Sequence, residues 1–161
     1  MKELLCACTG HRLQNLPFRF NEMDERCIDL KERLYECVEN IIKKGVTRFV
    51  SGMAIGVDFF FAEIVIELRD EKYPDIKLEA AIPCETQAIR WSEDLRDRYY
   101  KILAQCDVEQ CCRKNIHATV CKSETVIWWI AAISLLQYGT ELQAEPDLLF
   151  GMRRKIIKAL L

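Results

Sequence analysis

The stretch Phe49-Val50-Ser51-Gly52-Met53-Ala54-Ile55-Gly56-Val57-Asp58 decides the fold. A short apolar run ends at Ser51-Gly52, and a turn of small residues leads to a long apolar segment that begins at Phe59. This order predicts a strand, a tight glycine turn and a helix capped by Asp58. Free N–H groups at the start of such a helix favour an anion, and glycines let a phosphate approach the backbone. The alternative is an ordinary turn between a strand and a helix.

The composition limits the class of protein. The chain has 161 residues, of which 50% are apolar and 30% are charged, so we expect one soluble globular domain. The net charge of −2 gives no electrostatic reason to expect binding to nucleic acid or to a membrane. The first residues hold too short an apolar run for a signal peptide, and the nine cysteines then indicate reduced thiols in the cytoplasm.

A second glycine loop precedes the central stretch. The apolar run Leu4–Thr9 predicts a buried first strand, and it ends in Thr9-Gly10-His11-Arg12. Arg12 could bind a phosphate through two hydrogen bonds, and His11 could donate or accept one. The alternative is a solvated turn in which Arg12 pairs with a surface carboxylate.

The periodicity of apolar residues predicts the other elements. Helices are predicted for Asn21–Lys44, with Gly45 after it, for Phe59–Lys72 and for Glu93–Gln105, and strands for Thr47–Val50 and Lys77–Ile82. This alternation predicts a parallel sheet with helices on both faces, and ligands of such sheets bind at the carboxyl ends of the strands. Three segments therefore converge on one pocket.

The third of these segments is Pro83–Trp91. Its side chains Glu85, Gln87, Arg90 and Trp91 could contact a base or a ribose. The alternative is an exposed first helical turn with Trp91 packed on its rim.

The three segments together carry a resemblance to a known family. They are Thr-Gly-His-Arg at 9–12, Ser-Gly-Met-Ala-Ile-Gly-Val-Asp at 51–58 and Ile-Pro-Cys-Glu-Thr-Gln-Ala-Ile-Arg-Trp at 82–91. Over about residues 2–107 the chain resembles the YpsA-like branch of the SLOG superfamily, Rossmann-like proteins related to the DNA-processing protein DprA and to the cytokinin-activating phosphoribohydrolases. Leu13 departs from the pattern, because relatives usually carry proline there.

The resemblance implies a class of ligand and no proven reaction. Members of the superfamily bind nucleotides or nucleotide-derived molecules, some as sensors and some as N-glycosidic hydrolases. By this resemblance the pocket is formed by Thr9, Gly10, His11, Arg12, Ser51, Gly52, Ala54, Gly56, Asp58, Gln87 and Trp91. Catalytic residues stay unassigned, and residues 1–107 lack the Gly-Gly-x-Gly-Thr-x-x-Glu motif of the phosphoribohydrolases. No metal and no cofactor are expected.

Residues 108–161 depart from the pattern of the relatives. Past Asp107 we expect a fourth strand, a fifth strand and a Gly-Thr loop, but the sequence as written offers none of them. Trp128-Trp129-Ile130 can be encoded only as TGG-TGG-ATN, which in another frame gives the Val-Asp of the relatives. We therefore interpret this segment as a tail translated out of frame. A natural divergent tail is the alternative.

Three features of this tail resemble functional elements. Cys106, Cys111, Cys112, His117 and Cys121 lack the paired spacing of a zinc site, so no metal is assigned to them. Ser123-Glu124-Thr125 and Val126–Leu136 are typical of a capping box and an apolar helix, which is too short to span a bilayer. Met152–Leu161 predicts a weak amphipathic helix without an assigned function.

The sequence thus predicts an α/β protein, a Rossmann-like three-layer sandwich with a mainly parallel sheet and an atypical C-terminal third. Its SLOG-type part, residues 1–107, is expected to bind a nucleotide-like small molecule. An N-glycosidic, phosphoribohydrolase-like hydrolase and a non-functional frameshifted product are the alternatives, and the oligomeric state is left open.

Overall fold

The computed structural model describes residues 4–111 and 126–131. It contains a five-stranded sheet formed by β1 (Leu4–Thr9), β2 (Arg48–Ser51), β3 (Lys77–Ile82), β4 (Val108–Cys111) and β5 (Val126–Ala131). The helices are α1 (Glu25–Lys43), α2 (Val57–Glu71) and α3 (Glu93–Leu103), with a short 3-10 helix at Leu13–Asn15. The predicted Rossmann-like α/β fold is confirmed.

All neighbouring strands of the sheet are parallel, in the order β4-β3-β2-β1-β5. From β1 the chain advances through β2 and β3 to β4, whereas β5 pairs with the other side of β1. The strand order therefore reverses at β1. Ligands of open α/β sheets bind in the crevice at the carboxyl ends of the strands where such a reversal occurs.

The three helices pack on one face of this sheet. Right-handed crossovers that all advance in one direction place their helices on the same side, and α2 contacts both α1 and α3. Cys6, Phe49 and Leu78 share a register position on neighbouring strands and are fully buried in this layer. The described helices leave the third layer of the predicted sandwich untested.

The helix α1 begins at Glu25, later than the predicted Asn21, because the Asp24 side chain caps it. That carboxylate accepts the N–H of Arg26 at 2.9 Å. Gly45 follows the helix with a φ of 94°, in the region that favours glycine, as predicted.

The helix α2 is buried over most of its circumference, as its composition predicts. Phe59, Phe60, Phe61 and Leu68 are each at most 1% exposed. This burial arises because α2 lies between α1 and α3 while it also packs on β1, β2 and β3.

Two predictions about the C-terminal third were wrong. The fourth strand that the sequence did not reveal is present as β4, paired with Glu79–Ile82 of β3. The apolar run that begins at Val126 predicted a helix, but Val126–Ala131 forms β5 beside β1. Pairing with one neighbouring strand satisfies part of the backbone groups of both segments, and an edge strand such as β4 tolerates the polar Glu109 and Gln110.

Most other features of the tail cannot be compared with the structure. The positions that fall outside the described residues are the capping box at 123–125, the helix prediction beyond Ala131, Met152–Leu161, and Cys112, His117 and Cys121.

An ionic network joins the helices, formed by Glu22, Lys31, Glu63 and Arg98. Arg98 of α3 binds both carboxylate oxygens of Glu63 in α2, at 2.6 and 2.7 Å, and also binds Glu22. Lys31 of α1 donates to Glu22 at 2.6 Å. Both cations lie over the ring of Phe60, Arg98 at 5.7 Å and Lys31 at 4.5 Å from its centroid. This Arg98 network therefore ties three helices together through charge.

No helix in residues 4–111 has the length and apolar character that crossing a membrane requires. The cysteines whose side chains are described are all free thiols. Burial raises the pKa of the Cys6, Cys8 and Cys37 thiols above the usual value, so these three are poor nucleophiles at neutral pH.

Candidate functional site

The loops that follow β1 and β2 are joined. Arg12 and Gly56 form an antiparallel bridge, and the N–H of Val57 donates to the carbonyl oxygen of His11 at 3.4 Å. Residues 9–12 and 51–58, which we call the joined loops, are therefore in contact. The first of the two loops follows β1, the strand at which the order of the sheet reverses and where a ligand crevice is expected.

Gly10 and Gly56 permit this contact. A Cβ on Gly10 would lie 2.5 Å from the Cβ of Val57, and a Cβ on Gly56 would lie 2.6 Å from the carbonyl oxygen of His11. Gly56 also has a φ of 122°, which other residues rarely adopt. The approach of the two loops accounts for both glycines without a ligand, whereas the sequence had suggested the approach of a phosphate.

The start of α2 differs from its prediction. The helix begins at Val57 with Gly56 as its N-cap, so the assignment of Asp58 as the N-cap was wrong. Asp58 lies in the first turn, and its Oδ2 instead accepts the N–H of Ala54 at 3.4 Å. The carboxylate thus folds back onto the loop that precedes the helix.

Several backbone N–H groups of this loop are engaged within the protein. The N–H of Met53 donates to Ser51 Oγ at 3.2 Å, and that hydroxyl donates to the carbonyl oxygen of Asp58 at 3.0 Å. The N–H groups of Ala54 and Val57 also donate hydrogen bonds, to Asp58 Oδ2 and to the carbonyl oxygen of His11. The sequence predicted free N–H groups for an anion, but at these positions the protein supplies its own acceptors. The sequence also gave no sign that Met53 has a positive φ, of 56°.

Asp58 holds its proton to an unusually high pH for a carboxylic acid. Burial raises the pKa of Asp58 to about 6, although the Ala54 N–H and the charge of Arg12 act in the opposite direction. Arg12 itself is exposed, and its guanidinium has no ion-pair partner within the described residues. The joined loops therefore hold an available cation beside an acid that can give or take a proton near neutral pH.

This raised pKa predicts that Asp58→Asn stabilises the protein at neutral pH. An aspartate in an unfolded chain titrates near 3.9, so the folded protein binds the Asp58 proton more tightly and ionisation costs stability. This cost is complete above about pH 6 and disappears as the pH falls toward about 4. We expect a gain of about 2–3 kcal/mol at pH 8 and little change at pH 4.

Urea denaturation between pH 4 and pH 8 measures this effect. Asp107→Asn is the matched control, because Asp107 accepts the N–H of Leu78 at 2.9 Å and pairs with Arg69 at 3.1 Å. The control should lose stability at pH 8, where Asp58→Asn gains it. A loss in both variants would contradict the prediction.

Two side chains of the segment after β3 lie in different places: Gln87 contacts the candidate site, and Trp91 packs against other aromatic rings. Gln87 Nε2 donates to the carbonyl oxygens of Met53 at 2.7 Å and Gly52 at 3.3 Å, which brings Gln87 to the joined loops. Trp91 instead packs edge-on against Phe59 and Tyr99, with ring centroids 5.8 and 5.5 Å apart. This packing of Trp91 matches the alternative drawn from the sequence.

The described residues also form a groove between α1 and α2. Its volume is about 450 Å³, and its lining includes Glu32, Glu36, Glu63 and Glu67. These four carboxylates outnumber the Lys31 cation that also lines the groove, so the groove does not suit a phosphate. The joined loops are therefore the better candidate site for such a ligand.

The sequence matches a family model, YpsA, described as the YspA SLOG family, over residues 6–127. This range contains the three motifs quoted above and extends past residue 107, through β4 to the start of β5.

Curated relatives are also similar to part of the chain. UPF0398 protein ABC2016 of Shouchella clausii is 29% identical over 107 residues, which are 66% of this chain and 56% of that protein. A UPF0398 protein of Bacillus anthracis (strain A0248) is 36% identical over 80 residues, 45% of this chain and 43% of that protein. The chain spans about half the length of the curated relatives it matches.

Fold, motifs and similarity agree on the assignment. The parallel sheet carries glycine loops after its first two strands, and the family match includes both. The chain therefore belongs to the YpsA-type SLOG family.

Proposed function

We propose that the joined loops bind a nucleotide or a nucleotide-derived small molecule. The observation that supports this most is the exposed Arg12, unpaired within the described residues, beside the buried carboxyl of Asp58. A guanidinium suits a phosphate, and a carboxylate accepts hydrogen bonds from ribose hydroxyls. The free thiols of the described cysteines favour a reducing compartment such as the cytoplasm.

The proposed ligand has a preferred orientation. A phosphate inside the loop before α2 would meet the charge of Asp58 and the engaged N–H groups of Met53 and Val57. The negative charge of the phosphate is better matched by the Arg12 guanidinium. The ribose hydroxyls would then donate hydrogen bonds to the Asp58 carboxylate. Further contacts are proposed for Thr9, Gly10, His11, Ser51, Gly52, Ala54, Gly56 and Gln87, while the packing of Trp91 makes it the weakest member of the set.

Arg12→Met tests the phosphate contact with AMP as the probe. We expect weak binding by this chain, with a Kd above roughly 100 μM, because the Gly-Thr loop of the relatives is not recognised in it. Arg12→Met should weaken AMP at least about tenfold and leave adenosine, which has no phosphate, unchanged. NMR titration of the assigned backbone amides measures both affinities.

Arg19→Met provides the matched control, since Arg19 is another exposed arginine in the loop before α1. It should bind AMP as the wild type does. Equal AMP affinity of Arg12→Met and wild type would contradict the phosphate contact, and a low-micromolar wild-type Kd would contradict the expectation of weak binding.

A second candidate function is hydrolysis of the N-glycosidic bond of a nucleoside monophosphate. The pKa of Asp58, about 6, favours this candidate, because general acids and bases work best when they titrate near the operating pH. The same AMP samples distinguish the two functions: hydrolysis releases free adenine, and Asp58→Asn should abolish that release. AMP that stays intact supports binding alone.

The proposal also includes the origin of residues 108–161, which we interpret as a tail translated out of frame. The pairing of β4 with β3 and the family match as far as residue 127 favour the alternative, a natural tail, for the first part of it. Sequencing the DNA around the codons for Asp107 to Gln110 decides between them. We expect a one- or two-base change that restores the Gly-Thr loop of the relatives, and an intact frame in an expressed gene would contradict it.

A further inference from the structure

Gln87 links two loops that are far apart in the sequence. It lies after β3, and its Nε2 donates to the carbonyl oxygens of Gly52 and Met53 in the loop after β2. A single amide group thus holds two successive carbonyl groups of the candidate site.

The backbone that Gln87 holds is in an unfavourable conformation. Met53 is fully buried with a φ of 56°, a region that costs a residue with a Cβ about 1 kcal/mol or more. Its N–H is fixed by Ser51 Oγ and its carbonyl oxygen by Gln87 Nε2. These two hydrogen bonds hold the residue at both ends, so the conformation depends on them.

The other half of the Gln87 amide is left without a partner. Its Oε1 is buried and accepts no hydrogen bond within the described part of the chain. Rotating the amide would not help, because Oε1 would then face the two carbonyl oxygens. A buried acceptor without a partner costs about 1–3 kcal/mol, a cost that an apolar side chain would avoid. The placement of Gln87 is therefore accounted for by the loop it holds rather than by packing.

The loop that Gln87 holds is in direct contact with Asp58. The next N–H along the chain, that of Ala54, donates to Asp58 Oδ2. On the other side of Met53, a Cβ on Gly52 would lie 2.9 Å from the same oxygen. Any change in the Met53 conformation would therefore move the backbone that surrounds this carboxylate.

We propose that Gln87 is a positioning residue, which holds residues 52–54 in the conformation that sets the hydrogen bonding of Asp58. Gln87 thereby couples the segment after β3 to the Asp58 carboxyl group. Asp58 also faces the charge of Arg12 and the buried thiol of Cys8, and neither group lies on the loop that Gln87 holds. The ligand part of this inference rests on the proposed function, but the coupling between Gln87 and Asp58 does not.

Gln87→Leu removes both donated hydrogen bonds and also the unpartnered oxygen. Two NMR readouts follow the consequences: the ε-methyl resonance of Met53, one of four methionines, and the pH titration of the Asp58 carboxyl carbon. We expect the Met53 resonance to shift and Asp58 to titrate at higher pH, because the Ala54 N–H no longer stabilises the carboxylate.

Gln105→Leu is the matched control, because within the described residues the Gln105 side chain donates only a local hydrogen bond, to the carbonyl oxygen of Lys101 in α3. It should leave both readouts as in the wild type. Unchanged readouts in folded Gln87→Leu would overturn the proposal.

Gln87→Glu provides a second, reversible test if Gln87→Leu does not fold. The introduced side chain, when ionised, cannot donate to the two carbonyl oxygens, whereas its protonated form can donate to one of them. The Met53 resonance should therefore move toward its wild-type position as the pH is lowered through the titration of the introduced carboxyl group. A Met53 resonance at its wild-type position throughout that titration would overturn the proposal.

AMP separates this inference from the proposed function. If AMP binds, Gln87→Leu should weaken it about tenfold, and an unchanged affinity would overturn the link to the ligand. If AMP does not bind the wild type, the proposed function fails, while the Met53 and Asp58 readouts still decide whether Gln87 holds the loop.

Discussion

Replacing Gly56 with alanine should lower the free energy of unfolding by at least about 3 kcal/mol. The residue has a φ of 122°, and the added Cβ would lie 2.6 Å from the carbonyl oxygen of His11 and 3.0 Å from the N atom of Leu13. Both neighbours are backbone atoms, so the clash can be relieved only by moving the joined loops apart. That movement would also break the hydrogen bond from the N–H of Val57 to His11.

Gly45→Ala is the control for this prediction. Gly45 also has a positive φ, of 94°, but a Cβ there would have as its nearest neighbour only the Leu4 Cδ1, at 3.9 Å. We expect a loss of about 1 kcal/mol from the backbone conformation alone. Urea denaturation measures both variants, and similar losses in the two would show that the contact between the loops adds nothing.

The second large effect is expected for Arg98→Met, with a loss of about 3 kcal/mol. Methionine keeps much of the apolar length of the arginine side chain but removes the cation that Glu63 and Glu22 share, so Glu22 is left with Lys31 alone. Burial raises the pKa of Glu22, yet the hydrogen bonds and charges of Arg98 and Lys31 outweigh it and hold that pKa below its usual value. The variant loses this stabilisation and adds repulsion between two half-buried carboxylates.

Arg26→Met separates this effect from that of a surface ion pair. The Arg26 side chain is 58% exposed and pairs with Asp24, close to it in sequence, so its loss should cost far less stability than the loss of Arg98. Adding Glu63→Gln to Arg98→Met should recover part of the stability, because it removes the carboxylate that has lost its cation. Equal losses for Arg26→Met and Arg98→Met would contradict the importance of the Arg98 network.

Local sequence patterns were sufficient to predict the elements whose structure depends on neighbouring residues. The apolar runs gave β1 and β3 with the bounds that the structure has, and Gly45 marked the end of α1. The convergence of the loops after β1 and β2 followed from the parallel order of the strands, since their carboxyl ends meet at one edge.

The features that the sequence did not reveal depend on distant contacts. Arg98 and Glu22 lie 76 residues apart, and the positive φ of Met53 is held by Gln87, 34 residues further along the chain. No periodicity marks such pairs. The strand β5 was missed for another reason: a short apolar run suits a buried helix and a buried strand equally, and only its pairing with β1 decides between them.

The position of β1 between β2 and β5 has a consequence for the order in which the protein folds. One neighbour of β1 is available after residues 48–51, but the other is Val126–Ala131, so the first strand made must wait until most of the chain has been synthesised. Until then one edge of an apolar strand is open, which invites pairing with other chains and slows folding through a contact of long sequence separation. A nascent chain of this protein is therefore expected to need protection by chaperones at β1 until Val126–Ala131 has been made.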